Sequence, residues 1–192
     1  AEAFNQDIGE WNVATVTGIF SMFYRAYEFD QELGWRMCRR LLNTFAFTDT
    51  ACASDTPACG VSEPYMMNDE SIRLAVAAWN SDTTAALATY GQMTCWDTSN
   101  VTDMSALFNR QLSFNDDIGA WNVSAVTDMS VMFSGAGAFN QDVGDWDVGA
   151  VTSMSLMWSG AEAFNQDIGD WDVSAVIDMN GMFMNAKTFN QD

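Results

Sequence analysis

The chain has no histidine, and lysine and arginine together number only 7 in 192 residues. Without histidine, neither a Ser-His-Asp nor a Cys-His arrangement can be assembled. The shortage of cations leaves a formal net charge of −19, the wrong sign for nucleic acid or an anionic membrane. Cations and basic surfaces are the partners such a chain attracts. Neither a G-x-x-x-x-G-K loop nor a strand-linked G-x-G-x-x-G occurs, so phosphate cradling has no support and no enzyme is expected. No run of 18 apolar residues is present, so no transmembrane helix is expected, and no basic-then-apolar leader opens the chain.

Proline is equally scarce: Pro57 and Pro64 are the two, and they fall in one stretch. The four cysteines, Cys38, Cys52, Cys59 and Cys95, are also confined to the middle of the chain. Cys52 and Cys59 flank the short polar loop "ASDTPA", which suits a small disulfide-closed loop in an oxidising compartment; free thiols are the alternative. Zinc is disfavoured, with no histidine and no C-x-x-C pair. The sequence leaves the pairing of Cys38 and Cys95 open.

What the chain has in abundance is itself. "FNQDIGEWNV" (4–13) returns as "FNDDIGAWNV" (114–123), "FNQDVGDWDV" (139–148) and "FNQDIGDWDV" (164–173). Phe114, Phe139, Phe164 and Phe189 stand 25 apart, as do Trp96, Trp121, Trp146 and Trp171. A fixed period of this size predicts a solenoid, in which each unit buries its apolar face only by stacking on its neighbours. The chain starts inside a repeat and stops just after "FNQD", so it is expected to be a piece of a longer array.

Two periodicities follow one another inside each copy. Ile168, Trp171, Val173 and Val176 carry the L-x-x-L-x-L-x-x spacing of a leucine-rich-repeat strand, with Asp172 turned outward. Met129, Met132, Phe133 and Ala136 fall at i, i+3, i+4 and i+7, the stripe of a short helix that Thr127 and Asp128 would cap and Gly135 and Gly137 would end. The expected fold is therefore an α/β solenoid: a leucine-rich-repeat-like array with a parallel sheet of short strands about 4.8 Å apart and short helices on the other face. The Trp, Met and Phe columns read as core, and Asn115, Asn140, Asn165 and Asn190 as turn-stabilising residues.

Residues 1–48 read as the end of a first array with its capping repeat, 49–67 as a Cys- and Pro-containing linker, 68–92 as a helical N-terminal cap and 93–192 as a second array. Within the cap, Asn68 and Asp69 are N-cap candidates, Ile72, Ala75, Val76 and Trp79 share one face, and a shorter helix runs from near Asp82 to Gly91.

The motif "FNQDIGDWDVSAVIDMNGMF" (164–183) and its sister copies resemble the bacterial surface protein type of 25- to 26-residue leucine-rich repeat, the BspA-like family. The resemblance implies a secreted or surface-displayed binding or structural module without catalytic residues. Gly18 and Ser153 depart from it at the helix-start Asp, Trp158 at the Phe of Met-Phe and Ile177 at Thr.

The remaining signal is acidic and periodic. The outward position between Trp and Val is Asn12, Asp97, Asn122, Asp147 and Asp172, and two residues earlier stand Glu10, Ala120, Asp145 and Asp170. Like charges on neighbouring strands repel. Either a basic partner or a cation such as calcium bridges them, or they form a solvated face. The binding face so defined comprises Glu10, Asp97, Asn122, Asp145, Asp147, Asp170 and Asp172. Asn100 and Asn122 open N-glycosylation sequons, and a glycan on Asn122 would obstruct that face.

The function expected is non-catalytic protein-protein interaction or adhesion at the cell surface, with the lumen of an organelle as the alternative location. Two other readings remain: a structural building block of a large assembly that joins end to end with further copies of itself, and calcium or cation binding through the acidic ladders.

Overall fold

The computed structural model describes residues 2–9, 11, 19–31, 33, 46–50 and 65–191. The chain divides into two compact units, Ala1–Tyr65 and Met66–Asp192. Glu10, Asn12, Cys38, Cys52 and Cys59 lie outside the described residues. Cys95 is disulfide-bonded.

The second unit opens with two helices, α1 (Asp69–Ser81) and α2 (Thr83–Tyr90). The Asn68 side chain accepts from the Glu70 and Ser71 amides, and Ser71 answers with a bond to the Asn68 amide, a reciprocal capping box. Ile72, Ala75 and Val76 are buried at helical spacing. Asp82 ends α1 and caps α2 by accepting from the Ala85 amide, and Gly91 at φ 73° ends α2.

The helices seal the front of the array. Asp69 accepts from the Thr102 amide (2.7 Å), the Thr102 hydroxyl (2.8 Å) and the Asp103 amide (3.0 Å). One turn later Arg73 donates to the Ser105 carbonyl at 2.7 Å and pairs with the Asp103 carboxylate at 2.9 Å. Trp79 and Tyr90 stand edge-on to Trp96, covering the first tryptophan of the column.

The repeats themselves are neither strand nor helix, which overturns the expected α/β solenoid with its parallel sheet. Among the described residues the array holds only single-residue parallel bridges, Asp103 to Asp128 to Ser153 to Asp178, with Met66 to Asp97 at its front. Its backbone is a chain of turns. In 104–111 the Leu107, Asn109 and Gln111 amides bond three residues back, to the Met104, Ala106 and Phe108 carbonyls. The alternate amides of Met104, Ala106, Phe108 and Arg110 reach forward to the Asp128, Ser130, Met132 and Ser134 carbonyls of the next copy, at 2.7 to 2.9 Å. The pattern repeats from 129–135 onto 153–159 and from 154–160 onto 178–184.

Backbone conformation explains why no helix forms. Ala106, Val131, Leu156 and Gly181 have φ from 55° to 62°, and Arg110, Gly135, Gly160 and Asn185 from 61° to 73°. A left-handed residue at every fourth position breaks the i to i−4 ladder. The stripe Met129, Met132, Phe133 and Ala136 is nevertheless fully buried.

The expected strand fails for a related reason. Trp121 and Val123 are buried with Asn122 exposed between them, as alternation predicts. Yet turns close on both sides, Trp121 N–H to the Ile118 carbonyl and Val126 N–H to the Val123 carbonyl, leaving too few extended residues for a ladder. Backbone pairing between copies thus runs along the segment expected to be helical.

Side chains complete the stack. Phe114, Phe139, Phe164 and Phe189 pile at 5.6, 6.3 and 5.8 Å between centroids. The ring N–H groups of Trp121, Trp146 and Trp171 donate to the Met93, Ile118 and Val143 carbonyls. The Asn140, Asn165 and Asn190 amides each donate 2.9 Å to the Asn side chain one copy earlier. The first unit builds the same kind of rung: Phe23 N–H bonds the Ala46 carbonyl, Arg25 N–H that of Thr48, and Asp30 N–H the Asn5 side chain.

A candidate interaction face of acidic turn caps

The acidic column takes its geometry from the turn that follows each buried tryptophan. Asp97, Asn122, Asp147 and Asp172 each turn Oδ1 back onto the amide two residues on, Ser99 (3.0 Å), Ser124 (3.1 Å), Gly149 (3.2 Å) and Ser174 (3.0 Å). These are Asx turns. They redirect the chain out of the extended segment and occupy one oxygen of every carboxylate.

Asp97, Asp147 and Asp172 each keep a second oxygen beyond this bond, whereas Asn122 carries an amide nitrogen there. A Cβ at Gly149 would lie 3.3 Å from Asp147 Oδ1 and 4.0 Å from Asp172 Oδ2, so successive carboxylates converge over that glycine. The Ser174 hydroxyl and amide bond the Asp172 carboxylate and hold its pKa below the ordinary value. Asp145 and Asp170 are exposed in the adjacent turns, beside the same edge. The ion pairs among the described residues, Arg25 with Asp49, Arg73 with Asp103 and Lys187 with Glu162, involve none of these groups. No group of three or more His, Cys, Asp or Glu that could hold a metal ion occurs among the described residues.

Of the residues singled out from sequence, Asp97, Asn122, Asp147 and Asp172 come together as one column of turn caps, and Asp145 and Asp170 flank it. Asn122 is exposed, and its Oδ1 also takes the Ser124 hydroxyl at 2.7 Å. Asn100, the other sequon residue, places Nδ2 3.1 Å from the Met66 sulfur.

Sequence reasoning missed a second acidic column. Asp117, Asp142 and Asp167 cap Gly119, Gly144 and Gly169, each at 3.0 Å, and within the first unit Asp7 caps Gly9 in the same way at 3.0 Å. The D-x-G spacing in every "FNQDIG" was its signal, since an Asx turn needs a backbone amide two residues on.

In the second unit, stacked turn rungs closed in front by two helices and edged with carboxylate caps define a repeat protein whose surface is set by turns. The family described as Mycoplasma protein of unknown function, DUF285, matches residues 1–54 and 74–192, and the chain belongs to it. No curated protein and no solved structure matches the chain. Among the described residues no helix is long and apolar enough to cross a membrane.

Proposed function

We propose that the chain is a non-catalytic interaction module that presents the Asp97-Asn122-Asp147-Asp172 edge, with Asp145 and Asp170 beside it, to a basic protein surface. The observation that carries this reading is the second carboxylate oxygen that the turn cap leaves over on Asp97, Asp147 and Asp172, in groups held in place by the cap and without an ion pair among the described residues. Ordered carboxylates lose little side-chain entropy on binding, so the face is preorganised for lysine and arginine.

The resemblance of the repeat motif to bacterial surface proteins, together with the disulfide at Cys95, supports an extracellular or cell-surface setting.

Asn122 shows how to test the face, because asparagine keeps the cap without the charge. Asp145, Asp147, Asp170 and Asp172 are changed together to Asn, and binding of a lysine-rich peptide is measured by titration calorimetry. The matched control changes Asp7, Asp117, Asp142 and Asp167 to Asn, removing the same number of charges from the caps of the D-x-G turns. The first variant is expected to lose most of the affinity at unchanged Tm and the control to keep most of it. Equal losses would reduce the peptide's binding to net charge alone and overturn the proposed face.

A further inference from the structure

Three side chains set the first rung of the second unit apart from the copies behind it. Gln111 stands where inner copies hold Ala136 and Ala161, Ser113 where they hold Ala138 and Ala163, and Asp116 where they hold Gln141 and Gln166. All three departures line one cleft of about 410 Å³, whose other wall is Trp79 and Asn80 at the end of α1 and Thr83 at the start of α2. The cleft lies wholly within the second unit. Its volume is that of a small-ligand site, roughly 300–1,000 Å³.

Fitting the rung to the helices accounts for Asp116. Gln141 and Gln166 reach back to the Asn115 and Asn140 carbonyls of the preceding copy at 2.9 Å. Asp116 meets α1 instead, and Trp79 Nε1 donates to its Oδ2 at 3.1 Å. Gln111 has no such explanation. Its Nε2 donates to the Leu107 carbonyl at 3.3 Å, within its own turn, while its Oε1 is buried and meets no donor among the described residues. An acceptor taken out of water without a partner destabilises the fold, and the fully buried Ala136 and Ala161 of the inner rungs carry no such group. An unsatisfied polar atom in the wall of a cleft points to a ligand that brings the missing donor.

We propose that this cleft binds a neutral saccharide. Its walls carry the amides of Asn80 and Gln111, the hydroxyls of Thr83 and Ser113 and the Asp116 carboxylate, a mixture of donors and acceptors that matches the hydroxyls of a sugar ring. Asp116, with Oδ2 held by Trp79, turns Oδ1 to a ligand hydroxyl in a charge-assisted bond. Gln111 Oε1 takes a second hydroxyl. The half-buried indole of Trp79 gives apolar surface to the C–H groups of the ring. Among the described residues no lysine or arginine lines the cleft, so an anionic sugar meets Asp116 with nothing to offset the repulsion. None of these groups belongs to the Asp97-Asn122-Asp147-Asp172 column, and the failure of either site leaves the other standing.

The test is saturation-transfer-difference NMR on the 192-residue chain with the methyl glycosides of glucose, galactose, mannose and N-acetylglucosamine. At least one is expected to bind with a Kd of about 1 mM, and neither N-acetylneuraminic acid nor methylammonium is expected to displace it. Gln111→Ala installs the residue of the inner rungs. Its Tm is expected to hold or rise, because the unpaired acceptor is gone, while affinity for the glycoside falls about ten-fold or more; a residue kept only for packing would not separate the two. The proposal is overturned if no neutral glycoside binds, if either charged compound displaces the one that does, or if Gln111→Ala binds as tightly as the wild type. Should Gln111→Ala lower Tm, Ser113→Ala, which also restores an inner-rung residue, is expected to show the loss of affinity at unchanged Tm, and unchanged affinity there overturns the proposal as well.

Discussion

Asp69 shows how much of the array rests on single side chains. Burial disfavours its carboxylate, but the Thr102 and Asp103 amides, the Thr102 hydroxyl and Arg73 outweigh that and lower its pKa from 3.8. Asp103 is lowered in the same way: burial opposes, while Ser105 and Arg73 prevail. A carboxylate with a depressed folded pKa contributes stability above its unfolded value and loses it as pH falls through the folded one. Asp69→Asn is therefore expected to destabilise the second unit by about 1–2 kcal/mol at pH 7. It should also flatten the decline in urea midpoint below pH 4 relative to wild type. Gly119 is a second such residue: a Cβ there would lie 2.5 Å from the Asp142 carbonyl of the next rung. Gly119→Ala is expected to lower stability by about 1–3 kcal/mol, read from the same urea curves, because a backbone carbonyl cannot swing aside.

The decisive element is the rung of consecutive turns. Val131 holds φ 62° as a β-branched residue, a conformation that costs roughly 1–2 kcal/mol in L-residues and is eased by asparagine. Gly181 already occupies the equivalent position in a later copy. Val131→Asn should raise Tm by a few degrees, about 1 kcal/mol of stabilisation, if the half-buried valine contributes little packing. A fall in Tm would mean that its contacts outweigh the strain. The burial of this element was legible in the sequence, since Met129, Met132, Phe133 and Ala136 are all core. Its conformation was not, because a spiral of turns with a left-handed residue every fourth position buries the same stripe as a helix. The helices α1 and α2 were legible down to their caps, because Asn68, Asp82 and Gly91 act within their own chain segment.

Across the whole chain, stability is a sum of rung-to-rung terms. The charge of −19 opposes compactness everywhere at once. Salt should therefore raise Tm by screening. Among the described residues no cluster gathers enough carboxylates for a metal ion, so millimolar calcium should raise Tm no more than magnesium at equal ionic strength. A calcium-specific rise would show a site the acidic columns do not reveal. The candidate face was half visible in the sequence. The periodic acids at Asp97, Asp147 and Asp172 stood out, but their service as turn caps depends on a backbone amide two residues away, and the Asp117-Asp142-Asp167 column was hidden inside the repeat motif.

The sequence by itself determined the 25-residue stacking period, the Phe and Trp columns that fill the core, the outward acids and the two capped helices. Those features follow from side-chain identity at fixed spacing and from hydrogen bonds within a few residues. Only the tertiary structure decided that each copy is built of turns, because that choice rests on where alternate amides find their acceptors. In this chain they find them one copy away, at carbonyls such as Ser130 and Met132 for Ala106 and Phe108, and an isolated repeat contains no such partner.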